Sequence, residues 1–210
     1  ENILKKRNND IAINFLSEKG FEESITWKLL YEKVCKFSSY LKSLDLKKGD
    51  RVAAYVPNKI ESIISFLACA KIGVIWSSCS PDFGVQGVVD RFKQIEPKVL
   101  ITSDYYFYNG KKINILEKID DVLKKIPSIK KTIIFHYNKK EKNKINKFIK
   151  FDEALNDSEL DETFERPFFE SLLEKQSHWA PFVFPQAPFE ALTAEGDPRT
   201  TRWVDFLFAP

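Results

Sequence analysis

Few residues in this chain have types and spacing that bear on chemistry. Asn109-Gly110-Lys111-Lys112 joins a glycine, which lets backbone approach a ligand closely, to two lysines able to meet a phosphate as point charges. The same four residues also spell an ordinary Asn-Gly turn followed by surface lysines, and both readings stay open. Cys79 would act as a nucleophile only with a base to take its proton, and no histidine lies near it in sequence. Ser77, Ser78 and Ser80 read as turn and cap residues at a strand end, not as catalytic hydroxyls. Asp82 and Asp90 lack the paired setting of an acid/base couple. The closest glycines are Gly84 and Gly87, so no glycine-rich phosphate loop is present. Two histidines, His136 and His178, argue against a histidine-based metal site. No residue is singled out as catalytic or as a metal ligand.

The elements that must position these residues run from Gly49 to Thr102 as strand, helix, strand, helix, strand. Arg51–Val56 is apolar and β-branched enough for a buried strand, stopped by Pro57-Asn58. Asn58 is placed to cap the next helix, with Glu61 completing a capping box. Ile60, Ile63, Ile64, Leu67 and Ala68 form that helix's apolar stripe, widened by Phe66 and Ala70, and Gly73 ends it. Val74–Ser78 reads as a second buried strand. A helix opening at Ser80-Pro81 or Asp82 turns Val85, Val88, Val89, Phe92 and Ile95 inward, Pro97 stops it, and Val99–Thr102 is the third strand. Short strands joined by helices of this length predict parallel pairing with right-handed crossovers, hence a three-layer α/β fold with a mostly parallel sheet and helices on both faces. In such a sheet ligands sit beyond the carboxyl ends of the strands, here Pro57–Lys59, Cys79–Gly84 and a tyrosine-rich polar loop over Ser103–Lys112.

Flanking this core, residues 1–24 are polar, with a short helical signal around Ile11–Phe15. Thr26 caps a helix with the stripe Leu30, Val34, Phe37, Leu41 and Leu44. A further helix carries Leu116, Ile119, Val122, Leu123 and Ile126 inward, and Lys131–Phe135 is a fourth strand. Weaker signals stand at Phe148–Leu155 and Phe169–Leu173. The run Lys139–Lys150 holds six lysines and one glutamate and reads as a solvated loop. Residues 176–210 contain no lysine, isoleucine or asparagine, yet carry five of the ten prolines and two of the four tryptophans. The expected organisation is therefore an N-terminal segment (1–24), an α/β domain (25–166) and an atypical tail (167–210); the change near residue 175 reads either as a proline-rich tail or, the favoured reading, as a junction with unrelated coding sequence.

A formal charge of +3 is too small to argue for nucleic acid. The three cysteines form no Cys-x-x-Cys pair and read as buried reduced thiols, which fits a cytoplasmic protein. The most apolar helix is too short and too polar to span a bilayer, so no membrane partner is expected. Glu1 in place of Met suggests a fragment or a processed chain.

Three stretches together resemble a known family: Gly49–Asn58 (GDRVAAYVPN), Ala70–Gly84 (AKIGVIWSSCSPDFG) and Asp90–Lys98 (DRFKQIEPK). They are similar to the acetoacetate–CoA ligase branch of the adenylate-forming enzymes, the acetoacetyl-CoA synthetases, over about Glu1 to Arg166. The resemblance implies a two-step reaction. Acetoacetate attacks the α-phosphate of ATP, with Mg²⁺ present, to give acetoacetyl-AMP, and CoA then displaces AMP. It also implies that Tyr108, Asn109, Gly110 and Lys111 lie where related enzymes contact the ribose-phosphate end of CoA. A tyrosine stands where an arginine often opens that loop, and Lys111 keeps the basic position at its end. After Arg166 the family's Ser-Ser-Gly-Thr-Thr-Gly-x-Pro-Lys loop, which cradles ATP phosphates, does not follow. The 210-residue chain is accordingly expected to bind no cofactor tightly and to catalyse nothing. The alternatives are a non-catalytic α/β module for a nucleotide or CoA, or part of an acetyl- or propionyl-CoA synthetase.

Overall fold

The computed structural model describes residues 4–140 and 146–163. The chain divides into a unit over Glu1–Arg166 and another beginning at Pro167, and the described residues all lie in the first. The expectations for Phe169–Leu173 and for the tail fall outside the described residues.

Five parallel strands make the central sheet: β3 (Arg51–Tyr55), β4 (Ile75–Cys79), β5 (Val99–Ser103), β8 (Lys131–Phe135) and β9 (Ile149–Lys150), in the order β4-β3-β5-β8-β9. One layer packs α1 (Trp27–Ser43), α2 (Ile60–Lys71) and α5 (Phe151–Asn156) against Val52, Ala54, Ile101 and Ile133. The other packs α3 (Val85–Lys93) and α4 (Leu116–Lys125) against Ala53, Tyr55 and Leu100. The alternation of these strand residues between two cores follows from the two-residue period of a strand, and both faces being covered is what a parallel sheet requires. Phe37 and Phe92 are fully buried, one in each core; burying a side chain of this size stabilises by about 1.5–3 kcal/mol. Two antiparallel hairpins complete the described fold: β1 (Ile11–Leu16) with β2 (Glu22–Thr26), and β6 (Tyr105–Tyr108) with β7 (Lys111–Asn114).

The three-layer parallel fold agrees with the sequence reading, and so do particular devices. Thr26 caps α1, its side chain accepting from the Leu29 N–H at 3.3 Å. Gly73, with φ 68°, ends α2 in the left-handed region open to glycine. All three cysteines are buried and free.

Several expectations are corrected. Ile11–Phe15 is strand, not helix, because Ile13 faces the core while Ile11 and Leu16 stand exposed in a ribbon paired with β2. That second strand spans Glu22–Thr26. The residue capping α2 is Lys59, with no side-chain cap bond, so Asn58 and Glu61 form no capping box. Glu61 is instead buried and paired with lysines. Among the described residues β4 is an edge strand, not a buried one: Ile75 is 48% exposed, and Trp76 lies edge-to-face with a half-exposed Phe66 at 6.2 Å. α3 starts only at Val85, after a turn over Ser80–Gly84. The polar loop over Ser103–Lys112 is mostly the β6–β7 hairpin.

Candidate functional site

The strand register aligns Tyr55 with Cys79 and with Thr102, and Thr102 with Ile134, so the carboxyl ends of β3, β4, β5 and β8 open on one side of the sheet. The chain leaves β3 for α2 on one face and leaves β5 toward α4 on the other. A topological switch point therefore lies between Tyr55 and Thr102, the position where open α/β sheets take ligands.

Past β3, the molecule's own charges fill the space. The Lys59 side chain is fully buried, its Nζ 2.5 Å from Glu23 Oε2 and 3.8 Å from Glu61 Oε2. It also lies 4.4, 5.1 and 5.8 Å from the ring centroids of Phe15, Phe21 and Tyr137, whose π faces favour a desolvated cation. Lys139 closes the cluster with contacts of 2.6 Å to Glu23 and 2.7 Å to Glu61. Burial works against the charged form of Glu23, but hydrogen bonds from Lys139 and Lys59 outweigh it and hold the carboxyl below its ordinary range. Burial likewise opposes the Lys139 ammonium, and Glu61 and Glu23 overcome it and push that group upward. Lys139 thus belongs to a half-buried ion network, not to a solvated basic loop.

Past β4, Asp82 is committed to the turn. Its carboxylate accepts from Ser80 Oγ at 2.7 Å and from the Tyr106 hydroxyl at 2.7 Å. The Tyr55 hydroxyl lies 2.8 and 2.6 Å from the carbonyls of Pro81 and Phe83 and pins the same turn. Burial pushes the Cys79 thiol up to about 12, so it stays protonated and unreactive at neutral pH. Ser80 acts as a turn residue, while Gly84 occupies the position capping α3.

Past β5 and β8, sequence reasoning missed a junction. Asp104 is buried and accepts from the N–H groups of Tyr105 (2.8 Å) and Tyr137 (2.9 Å), with His136 Nδ1 at 2.9 Å. The signal available was positional: each residue stands immediately after a parallel strand. The carboxylate ties the ends of β5 and β8 together and sets the orientation of the imidazole.

The β6–β7 hairpin brings the four sequence-predicted site residues together at its tip. Tyr108 pairs with Lys111, leaving Asn109 and Gly110 as a two-residue loop with φ of 50° and 72°. Positive φ at both positions is the signature of an Asn-Gly hairpin turn, and glycine supplies the second at no steric cost. Strand alternation puts Tyr108 and Lys111 on one face of the ribbon and Lys112 on the other, where its Nζ sits 3.7 Å over the Tyr105 ring. The two lysines therefore cannot converge on one phosphate through this face. The two N–H groups of the loop are not idle. Glu18 Oε1 accepts from Asn109 N–H at 3.3 Å and Glu18 Oε2 from Gly110 N–H at 2.9 Å. Glu18 is offered by the tight β1–β2 connection, which the Ser17 hydroxyl organises by accepting from the N–H groups of Lys19 and Phe21.

This arrangement can bind an oxyanion through two amides and a lysine, and the carboxylate beside that position, Glu18, is itself engaged by those amides. Among the described residues no group of three or more His, Cys, Asp or Glu could hold a metal ion, and no helix is long and apolar enough to cross a membrane.

Parallel strands, helices on both faces and loops gathered at a switch point define an α/β domain of the kind that serves nucleotide and coenzyme chemistry. A family profile described as "AMP-binding enzyme" matches residues 1–178. The chain belongs to that family of AMP-binding enzymes. The acetoacetyl-CoA synthetase of Gallus gallus is 42% identical over 139 residues, covering 65% of this chain and 21% of that protein. The acetoacetyl-coenzyme A synthetase of Rhizobium meliloti (strain 1021) is 44% identical over 126 residues, covering 60% and 19%. A malonamoyl-CoA synthetase of Penicillium aethiopicum is 38% identical over 124 residues, covering 59% and 17%. The structure of acetoacetyl-CoA synthetase from Streptomyces lividans superposes with a TM-score of 0.71 at 28% identity, covering 78% of this chain and 25% of that one. The chain thus spans about a fifth of the length of the curated relatives it matches.

Proposed function

We propose that this chain is the N-terminal part of an acetoacetate–CoA ligase, a cytoplasmic enzyme of lipid and ketone-body metabolism that joins acetoacetate to CoA at the expense of ATP. The observation that carries the reading is the similarity to acetoacetyl-CoA synthetases, at 42% identity over 139 residues, combined with the shared fold. The exposed Ile75 of β4, a strand unpaired on one side among the described residues, and the exposed Phe66 of α2 favour a segment of a larger assembly over a self-contained module.

Within that enzyme this segment supplies scaffold and one contact surface. Tyr108, Asn109, Gly110 and Lys111 receive the ribose-phosphate end of CoA. The hairpin tip fits such a group: its amides already hold a carboxylate, and Lys111 projects beside Tyr108, which is 58% exposed. ATP and Mg²⁺ do not fit the described residues, which offer neither a glycine-rich loop nor a group of acidic ligands. The 210-residue chain by itself therefore forms no acyl-adenylate. The change of composition after Lys175 favours a junction there, with residues 176–210 dispensable to the α/β unit.

Sequencing the gene beyond codon 166 tests the assignment. A loop of the Ser-Ser-Gly-Thr-Thr-Gly-x-Pro-Lys type, in any reading frame, supports it; its absence in all frames sinks it. Acetoacetate-dependent ATP–pyrophosphate exchange tests the division of labour, with no exchange above a no-protein blank expected from the 210-residue chain. Deleting residues 176–210 should leave the urea unfolding midpoint unchanged, and a marked drop would make the tail integral to the fold.

A further inference from the structure

We infer that the Asn109–Gly110 turn is an oxyanion seat held by Glu18 as an internal occupant, which an incoming phosphate must displace. That the phosphate is the nucleotide end of CoA rests on the reading of Tyr108–Lys111 given above.

In a two-residue hairpin loop the ladder closes at Tyr108 and Lys111, so the amides of Asn109 and Gly110 have no partner strand. Successive N–H groups in a turn with positive φ make a concavity suited to anions. Here each amide faces one oxygen of a single carboxylate, at 3.3 and 2.9 Å, and a phosphate can present two oxygens in the same way. The Glu18 carboxylate therefore marks the seat and fixes the ligand class as an oxyanion.

Glu18 is also poised to leave. Its two contacts are solvent-exposed, where charge-assisted bonds are screened, unlike the buried contacts of Lys59. Its neighbour Lys19 stays beside the turn, its Nζ 3.8 Å from where a Cβ on Gly110 would stand. Withdrawal of Glu18 removes a negative charge and leaves Lys19 and Lys111 flanking two free amides. The seat is thus closed in the resting protein and becomes strongly cationic when open. Glu18 comes from the β1–β2 turn, so the N-terminal hairpin controls access to a site formed some 90 residues later, at a separation of 92 for Gly110.

A ligand that binds only the open state has its affinity reduced by the open fraction, so a seat open about a tenth of the time binds about tenfold more weakly than a permanently open one. The test uses the full 210-residue chain, ¹⁵N-labelled, with adenosine 3′,5′-bisphosphate and sodium sulfate as probes and the Asn109 and Gly110 amide signals as readout. Glu18→Ala should bind the bisphosphate about tenfold tighter than wild type. Glu22→Ala, which removes an equal charge from the same hairpin, should stay within about twofold of wild type. Equal bisphosphate affinity in wild type and Glu18→Ala overturns the occupant role and leaves the CoA reading standing. A gain in Glu22→Ala matching that in Glu18→Ala also overturns it, by showing a general charge effect. Sulfate shifting both amides only in Glu18→Ala, with no bisphosphate binding to any variant, supports the seat and removes the CoA reading. No response of either amide to either probe in any variant overturns both.

Discussion

Lys59 and Lys111 both stand in segments that follow strands of the central sheet, yet they live in opposite surroundings. Lys59 is fully buried among two carboxylates and three aromatic rings, with no solvent path along its side chain. Lys111 is exposed at a hairpin tip, where one carboxylate touches the adjacent backbone from outside. The first cation is consumed by the fold and the second faces solvent. Residue type does not separate them; desolvation and the number of fixed partners do.

The largest effect that tests the contrast is on stability. Lys59→Met should lower the free energy of unfolding by about 3–5 kcal/mol, because it strips a partner from buried Glu61 and half-buried Glu23. Lys111→Ala should change it by no more than about 0.5 kcal/mol. Urea unfolding of both variants measures the difference, and equal losses would erase the distinction. Next comes acid. Because Glu23 has a folded pKa below its ordinary 4.5, the unfolded chain binds more protons between the two values. Its stabilisation is present above about pH 4.5 and fades as pH falls through the folded value, so Glu23→Gln should flatten the acid limb of stability against pH. Lys139, raised above 10.5, acts in the other sense: its stabilisation is complete below that value and is lost only as pH rises through the folded one.

Smaller effects belong to the exposed side of the comparison. Lys111→Ala should weaken CoA binding by about fivefold, the equivalent of roughly 1 kcal/mol for one exposed phosphate contact. Titration calorimetry checks this, and unchanged affinity would take Lys111 out of the site. The smallest concerns Cys79: with its thiol pushed up to about 12 by burial, iodoacetamide at pH 8 should leave it unmodified until the protein is unfolded.

What the sequence showed and what it hid divide along the same line. Lys131–Phe135 is strand as expected, and Thr26 caps α1 as expected, because both depend on neighbours within a few residues. Ile11–Phe15 was too short a run for its period to distinguish strand from helix. Glu61 matched a capping box locally, but Lys139, far along the chain, claims its carboxylate. The Asn109–Gly110 pair carried a real turn signal beside the ligand reading, and the structure holds the turn without excluding the ligand. Glu18 had no local signal at all, since its contact with the turn is made across 91 residues.

The sheet order has a consequence for a chain that emerges from the ribosome one end first. β3 is made before every other strand of the sheet, yet it lies between β4 and β5 and must wait for each of them in turn. β8 then adds to β5, and β9 to β8, so after the reversal at β3 growth proceeds outward in the order of synthesis. Loop closure of this kind is cheap at each step, because each new strand finds an edge already formed. Among the exceptions is the link from Lys139 back to Glu23, across 116 residues. Until Lys139 has left the exit tunnel, Glu23 and Glu61 lack their second cation, and the ion pairing between the N-terminal hairpin and the segment after β3 rests on Lys59. The nascent domain therefore assembles from its middle outward and is locked at its beginning by one of its later residues.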